Sequence, residues 1–127
     1  MKYYSTNRLA PLATLEEAVV KGLADDKGLY MPEYIPRLEP QAIERMKEQS
    51  FHEIACTVAR AFFGEDIEPA TLDRLVCDTL SFETPVVEVK DPIYSLELFH
   101  GPTLAFKDVG GRFMARLLGY FIQREGL

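Results

Sequence analysis

Residues 84–101, "TPVVEVKDPIYSLELFHG", are where the composition of the chain changes, and the expected architecture changes with it. β-Branched residues and period-two alternation on either side of Asp91-Pro92 read as two strands joined by a turn. Most of what precedes this stretch is punctuated as helices. Thr14 with Glu17, and Ser50 with Glu53, each form the S/T-x-x-E box that opens a helix. Pro40 in "EPQAIERMKEQ" and Pro69 in "PATLDRLVCDTLS" stand at first helical positions, and Gly22 and Gly64 are natural stops. Leu15, Val19 and Leu23 are spaced for one buried face, and Ile54, Val58 and Phe62 for another. Near the start, "KYYST" and "GLYMP" read as short strands able to pair.

Two units follow from this division. Residues 1–85 are expected to form a mostly helical α+β domain with a small sheet. Residues 86–127 are expected to begin an α/β domain with a strand, a loop and a helix. That last helix, "DVGGRFMARLLGYFIQRE", carries Val109, Phe113, Leu117 and Phe121 at four-residue spacing, with Asp108 as its N-cap and Gly126 as its end. Gly110, Gly111 and Gly119 each cost about 0.5–1 kcal/mol against alanine inside a helix, for which close backbone approach is the usual compensation. The apolar face suits a parallel sheet whose other strands are not among these residues, so the chain reads as the N-terminal piece of a longer protein. Without that sheet the face is expected to be exposed or covered by a second copy, giving self-association through the last helix.

The bulk properties narrow the function. The 127 residues are 47% hydrophobic, enough for a core, and carry a net charge of −6 with no Lys/Arg cluster longer than a pair. Nucleic acid is not an expected partner. "KYYSTNRLAPLA" after Met1 has no apolar signal region, and no stretch reaches the roughly 18 apolar residues of a membrane span, so a cytoplasmic address is expected. Cys56 and Cys77 lack a C-x-x-C spacing and have only His52 and His100 beside them. Two buried thiols are expected, with neither a metal site nor a disulfide.

One residue, Lys107, admits two readings, an exposed loop lysine whose stem lies over apolar surface or a reactive amine. In "FHGPTLAFKDVGGR", residues 99–112, Lys107 sits in an apolar, glycine- and proline-bearing loop just before a helix. Burial and the positive end of the helix dipole both disfavour an ammonium there, and a neutral amine is a nucleophile suited to Schiff-base chemistry with a carbonyl. Gly101 and Pro102 shape a turn after a strand, Phe99, Leu104 and Phe106 offer an apolar lining, and Gly110 and Gly111 would admit a flat cofactor or a neighbouring strand. His100 and Thr103 lie on the same loop and are candidates either for substrate contact or for hydrogen bonds that stabilise the turn. Arg112 and Arg116, at i, i+4 spacing, suit a solvated face or a substrate phosphate.

"LELFHGPTLAFKD" together with "GGRFMARLLGYF" resembles the lysine segment of the threonine synthase family. "MKYYST", "EEAVVKGLADDKGLYMPE" and "FHEIACTVARAFF" are similar to that family's N-terminal domain, so the resemblance covers nearly the whole chain. The lysine motif alone indicates the broader β-family of pyridoxal-phosphate enzymes, of tryptophan synthase-like fold type II. The front end narrows it. The resemblance implies that Lys107 binds pyridoxal phosphate as a Schiff base and shuttles protons while O-phosphohomoserine and water become threonine and phosphate. It implies a place for Phe106 against the cofactor ring. The family's glycine-rich phosphate loop and its partner for the pyridine nitrogen are not among the 127 residues. The chain alone is therefore expected to lack turnover and to bind the cofactor weakly. The alternatives are another β-family enzyme of threonine or serine dehydratase type, and a non-enzymatic helical interaction domain. Tyr4–Asn7 receives no role from either reading.

Overall fold

The computed structural model describes residues 1–126. Its elements, in chain order, are β1 (Tyr3–Ser5), α1 (Leu15–Lys21), β2 (Tyr30–Pro32), α2 (Pro40–Arg45), α3 (Phe51–Phe63), α4 (Pro69–Thr79), β3 (Val86–Lys90), β4 (Ile93–Leu96) and α5 (Lys107–Glu125). A 3-10 turn over Met46–Glu48 extends α2. The result is an α+β arrangement of five helices and two separate two-stranded antiparallel sheets.

The starts of α1 and α3 form where the sequence signals them. Thr14 Oγ1 accepts from the Glu17 amide at 3.2 Å while the Glu17 carboxylate accepts from the Thr14 amide at 2.8 Å, and Ser50 and Glu53 repeat the exchange at α3. Two first-turn amides that a helix leaves orphaned are thus satisfied at each end. Glu68 caps α4 by accepting from the Ala70 and Thr71 amides, a cap not anticipated from the sequence. Gly22 closes α1 at φ +75 and Gly126 closes α5 at φ +70, backbone conformations that suit glycine.

β1 and β2 pair as expected, with Tyr3 opposite Pro32 and Ser5 opposite Tyr30. β3 and β4 form the hairpin expected around Asp91-Pro92, with Val86 opposite Leu96 and an irregularity between Glu88 and Lys90. The hairpin stands out from the rest, with Val86, Val87, Val89, Ile93, Tyr94 and Leu96 all exposed.

One core unites four of the five helices, α1, α3, α4 and α5. Leu15 and Val19 of α1, Cys56 and Ala59 of α3, Leu72 and Val76 of α4, and Leu117 and Phe121 of α5 are buried together with Tyr3 of β1. This corrects the expectation for the last helix. Leu117 is 4% and Phe121 1% exposed, and Val109 and Phe113 pack partly buried against the same cluster, because α5 lies against α1 and α4. The stripe finds its apolar cover in helices of this chain, which removes the ground for self-association through it. Burying a side chain such as Phe121 contributes about 1.5–3 kcal/mol, ample reason for the helix to dock where apolar surface is nearest.

Other expectations are corrected as well. α3 buries Cys56 and Ala59 rather than the Ile54, Val58 and Phe62 row, of which Val58 is exposed, and Leu23 is exposed beyond the end of α1. Added Cβ atoms at Gly110, Gly111 and Gly119 would meet nothing within 4 Å, so no close approach among the described residues accounts for these glycines. Cys56 is buried but Cys77 is exposed, and both thiols are free. Burial pushes the Cys56 thiol up to about 11, so it stays protonated and serves packing. Among the described residues no helix is long and apolar enough to cross a membrane.

Candidate active-site lysine

From the end of β4 the chain enters a turn closed by the Leu104 amide donating to the Gly101 carbonyl at 3.0 Å, with Leu104 held at φ +55. A leucine in the left-handed region is uncommon and costs roughly 1 kcal/mol or more, so the surrounding bonds must impose it. They converge on Asp108. Its carboxylate accepts from the Thr103 amide at 2.9 Å and from the Thr103 hydroxyl at 2.8 Å, and its own amide donates to the Ala105 carbonyl at 3.0 Å. Asp108 is only 5% exposed. Burial pushes its carboxyl up, but the hydroxyl and amide of Thr103 outweigh this and hold it below the ordinary carboxylate range.

This differs from the expected role of Asp108 as helix N-cap. α5 begins two residues earlier than that role requires, at Lys107, with Phe106 at the N-cap position and no side-chain cap. Asp108 is in the first turn and reaches back to the loop instead of across the helix end. The glycine that requires close approach is Gly101, where an added Cβ would lie 2.8 Å from Asp108 Cβ and 2.6 Å from Asp108 Oδ2. Those contacts involve the stem of a pinned side chain, so they cannot be relieved cheaply.

Lys107 itself is exposed, and none of the ion pairs among the described residues involves it. The expected burial of its amine is therefore not met within this chain. Phe106 at 74% exposed and Leu104 at 76% flank it, and Phe99 is also exposed, so the anticipated apolar lining is present in sequence but does not bury the lysine. Thr103 is committed to Asp108. His100 Nε2 donates to Glu97 Oε2 at 2.6 Å, and its ring lies 4.6 Å from that of Phe99. Both residues thus make the turn-stabilising bonds that were one of their two readings.

Arg112 is neither a free charge nor an open phosphate ligand. Its guanidinium donates to the Thr79 carbonyl at 3.1 Å, the Asp78 carbonyl at 3.0 Å and Ser81 Oγ at 2.9 Å, closing the C-terminus of α4. His52 Nε2 donates to the next carbonyl, Leu80, at 2.7 Å. Arg116 lines a shallow hollow between α4 and α5 together with Arg74.

The segment Tyr4–Asn7, without a role from sequence, is tied down by Asp26. That carboxylate accepts from Ser5 Oγ at 2.5 Å, from the Leu9 and Ala10 amides at 2.9 Å each and from the Gly28 amide at 3.0 Å. Asn7 Nδ2 donates to the Asp26 carbonyl, and Thr6 Oγ1 accepts from the Leu29 amide. The Ser5 hydroxyl, with the amides of Gly28, Leu9 and Ala10, overcomes the opposing effect of burial and holds the Asp26 carboxyl at about 2. A hydroxyl and an acid 21 residues apart leave no local pattern from which to read this bond.

Residues 2–80 match the family model described as the threonine synthase N terminus. Over 118 residues, 93% of its length, the chain is 42% identical to threonine synthase of Haemophilus influenzae and 39% identical to that of Serratia marcescens. It is similar in structure to pyridoxal-phosphate-bound threonine synthase from Brucella melitensis, with a TM-score of 0.92 and 37% identity over 99% of the chain. The yeast enzyme gives a TM-score of 0.87 at 37% identity over 98%. The chain spans only 27–28% of the length of these relatives. With the Lys107 turn, the α5 docking and the front sheet all lying on the shared backbone, the chain belongs to the threonine synthase family.

Proposed function

We propose that this chain is the N-terminal part of a threonine synthase, a pyridoxal-phosphate-dependent lyase that converts O-phosphohomoserine and water into threonine and phosphate in the cytoplasm, with Lys107 as its catalytic residue. Residues 1–85 form the front domain on this reading, and residues 86–127 open a fold type II domain that supplies the lysine. The observation that carries it is Lys107 standing exposed at the head of α5, on a backbone that matches a pyridoxal-phosphate-bound relative with a TM-score of 0.92.

The residues present fit the cofactor. An exposed amine that makes no ion pair among the described residues is free to hold an aldehyde, and the exposed rings of Phe106 and Phe99 are apolar surface that a flat aromatic group can cover. Lys107 would hold pyridoxal phosphate covalently through Nζ, with Phe106 beside the ring. When bound, the cofactor supplies the electron sink that makes substrate carbon acids accessible. Lys107 then takes up and returns protons at those carbons, for which a primary amine on a flexible stem has the reach. Thr103 and His100 remain near the substrate on this reading, occupied in shaping the turn. The cofactor's phosphate would be held by residues outside this chain, so the chain alone binds it weakly and does not turn over.

The test uses the full-length enzyme, loaded with pyridoxal phosphate, reduced with borohydride, digested and mapped. Label on Lys107 with phosphate release from O-phosphohomoserine is the expected result. Label on Lys90 or any other lysine, or activity on threonine or serine without activity on O-phosphohomoserine, overturns it.

A further inference from the structure

The Lys107 turn holds a side-chain pair that no catalytic role has used. Thr103 gives both its amide and its hydroxyl to one carboxylate, that of Asp108, which is almost wholly buried and directly follows the lysine. Successive residues of a helix are about 100° apart around its axis, so a pinned inward Asp108 directs Lys107 to a neighbouring, outward-facing side. The helix has no side-chain cap to set its first turn by other means, since Phe106 contributes none. Gly101 leaves the space the carboxylate occupies. Leu104 records the tension of the closed turn at φ +55.

We propose that Thr103 and Asp108 are positioning residues for Lys107. Their two hydrogen bonds fix the first turn of α5 and the azimuth at which the lysine stem leaves it, and they keep the neighbouring carboxylate occupied rather than free to pair with the Lys107 ammonium. The pair acts through Lys107 and touches no substrate. This inference rests on the reading of Lys107 as the cofactor lysine.

Geometry, rather than charge, is what the pair supplies, and conservative variants separate the two. Asp108→Asn keeps an oxygen for the Thr103 amide and offers its NH2 group to the Thr103 hydroxyl, whereas Asp108→Ala removes both bonds. Thr103→Ser keeps the hydroxyl and Thr103→Val removes it. The experiment measures, in the full-length enzyme stripped of cofactor, the rate at which added pyridoxal phosphate becomes borohydride-fixed on Lys107, alongside the thermal midpoint of each variant. Misplacing a reacting group by an ångström costs up to about 100-fold, so Asp108→Ala and Thr103→Val are expected to slow Lys107 labelling at least about tenfold. Asp108→Asn and Thr103→Ser are expected to stay within about threefold of the unsubstituted protein. If Asp108→Ala does not fold, Thr103→Val against Thr103→Ser carries the comparison, because both keep the backbone amide bond.

Equal labelling rates in Thr103→Val and Thr103→Ser overturn the inference and leave the assignment of Lys107 intact. A thermal midpoint that falls while the labelling rate holds assigns the pair to stability alone and also overturns it. Label on a different lysine in the unsubstituted protein overturns the assignment and the inference together.

Discussion

Asp26 and Asp108 lie near opposite ends of the chain and use the same chemistry to different ends. Each accepts from a hydroxyl and from at least one amide, Asp26 from Ser5 and three amides, Asp108 from Thr103 alone. Each has a glycine pressed against it or its partner: an added Cβ at Gly28 would lie 2.0 Å from Ser5 Oγ, and one at Gly101 would lie 2.8 Å from Asp108 Cβ. The surroundings differ. The Asp26 knot ties β1 and the loop after it to the turn before β2, and closes on itself. The Asp108 turn closes only on the inner side and leaves Lys107, Phe106 and Leu104 exposed on the outer one. The same carboxylate turn therefore ties a strand and its loop together in one place, and in the other stands beside an exposed lysine that makes no ion pair among the described residues.

The sharpest way to separate the two regions is to remove the chemistry while keeping the fold. Lys107→Ala or Lys107→Arg in the full-length enzyme should cut turnover by about 1,000-fold or more, since arginine stays protonated and alanine has no amine. Because Lys107 makes no ion pair among the described residues, the thermal midpoint should move by no more than about 2 °C. A large loss of stability in Lys107→Arg would blur the distinction between the regions.

Asparagine should tell the two acids apart. Asp26 directs Oδ1 at the Ser5 hydroxyl and the Gly28 amide and Oδ2 at two further amides, so Asp26→Asn must turn an NH2 group toward donors on one side or the other. Its thermal midpoint should fall by about 5 °C or more, whereas Asp108→Asn should lose less than about 2 °C, as its hydroxyl partner can reverse its role. Equal losses at the two positions would remove the contrast and trace the effect to the charge lost in both.

Acid should act on the same knot. The Asp26 carboxyl is held at about 2 in the folded chain against an ordinary value near 3.8, so the folded state binds fewer protons between those limits. Its contribution to stability is present above about pH 4 and is lost as the pH falls toward 2. Urea midpoints measured from pH 6 to pH 2 should fall more steeply in the unsubstituted chain than in Asp26→Asn, and parallel curves would remove Asp26 as the source. The smallest effect is expected at Leu104, which is exposed and left-handed. Leu104→Asn, a residue that tolerates that conformation, should raise stability by about 0.5 kcal/mol in chemical denaturation.

Much of the scaffold was legible in short-range patterns. The boxes at Thr14 and Ser50, the prolines at 40 and 69 and the hairpin about Asp91-Pro92 depend on residues that bond locally, while β1 and β2 were legible each as a short strand. The lysine drew notice because an ammonium among apolar residues is anomalous, but the burial this implied is not found, as Lys107, Phe106 and Leu104 are all exposed. Asp108 was misread as a cap because an acid at the start of a helix has two sets of donors within reach, those of the helix and those of the preceding loop. Only the path of the loop selects between them.

By itself, the sequence determined most of the helix starts and strand pairings, singled out Lys107 as the residue to explain, and pointed to the family whose lysine segment and front end it shares. The tertiary structure alone decided that α5 covers its apolar face with α1 and α4, that Arg112 closes α4 across 33 residues, and that Ser5 meets Asp26 across 21. The physical reason is one of range. Capping and turn formation draw on neighbours fixed by covalent connection, whereas burial is non-directional and rewards any apolar surface the chain can bring near, so a stripe such as Val109, Phe113, Leu117 and Phe121 specifies that it will be covered and leaves its cover to the packing of the whole.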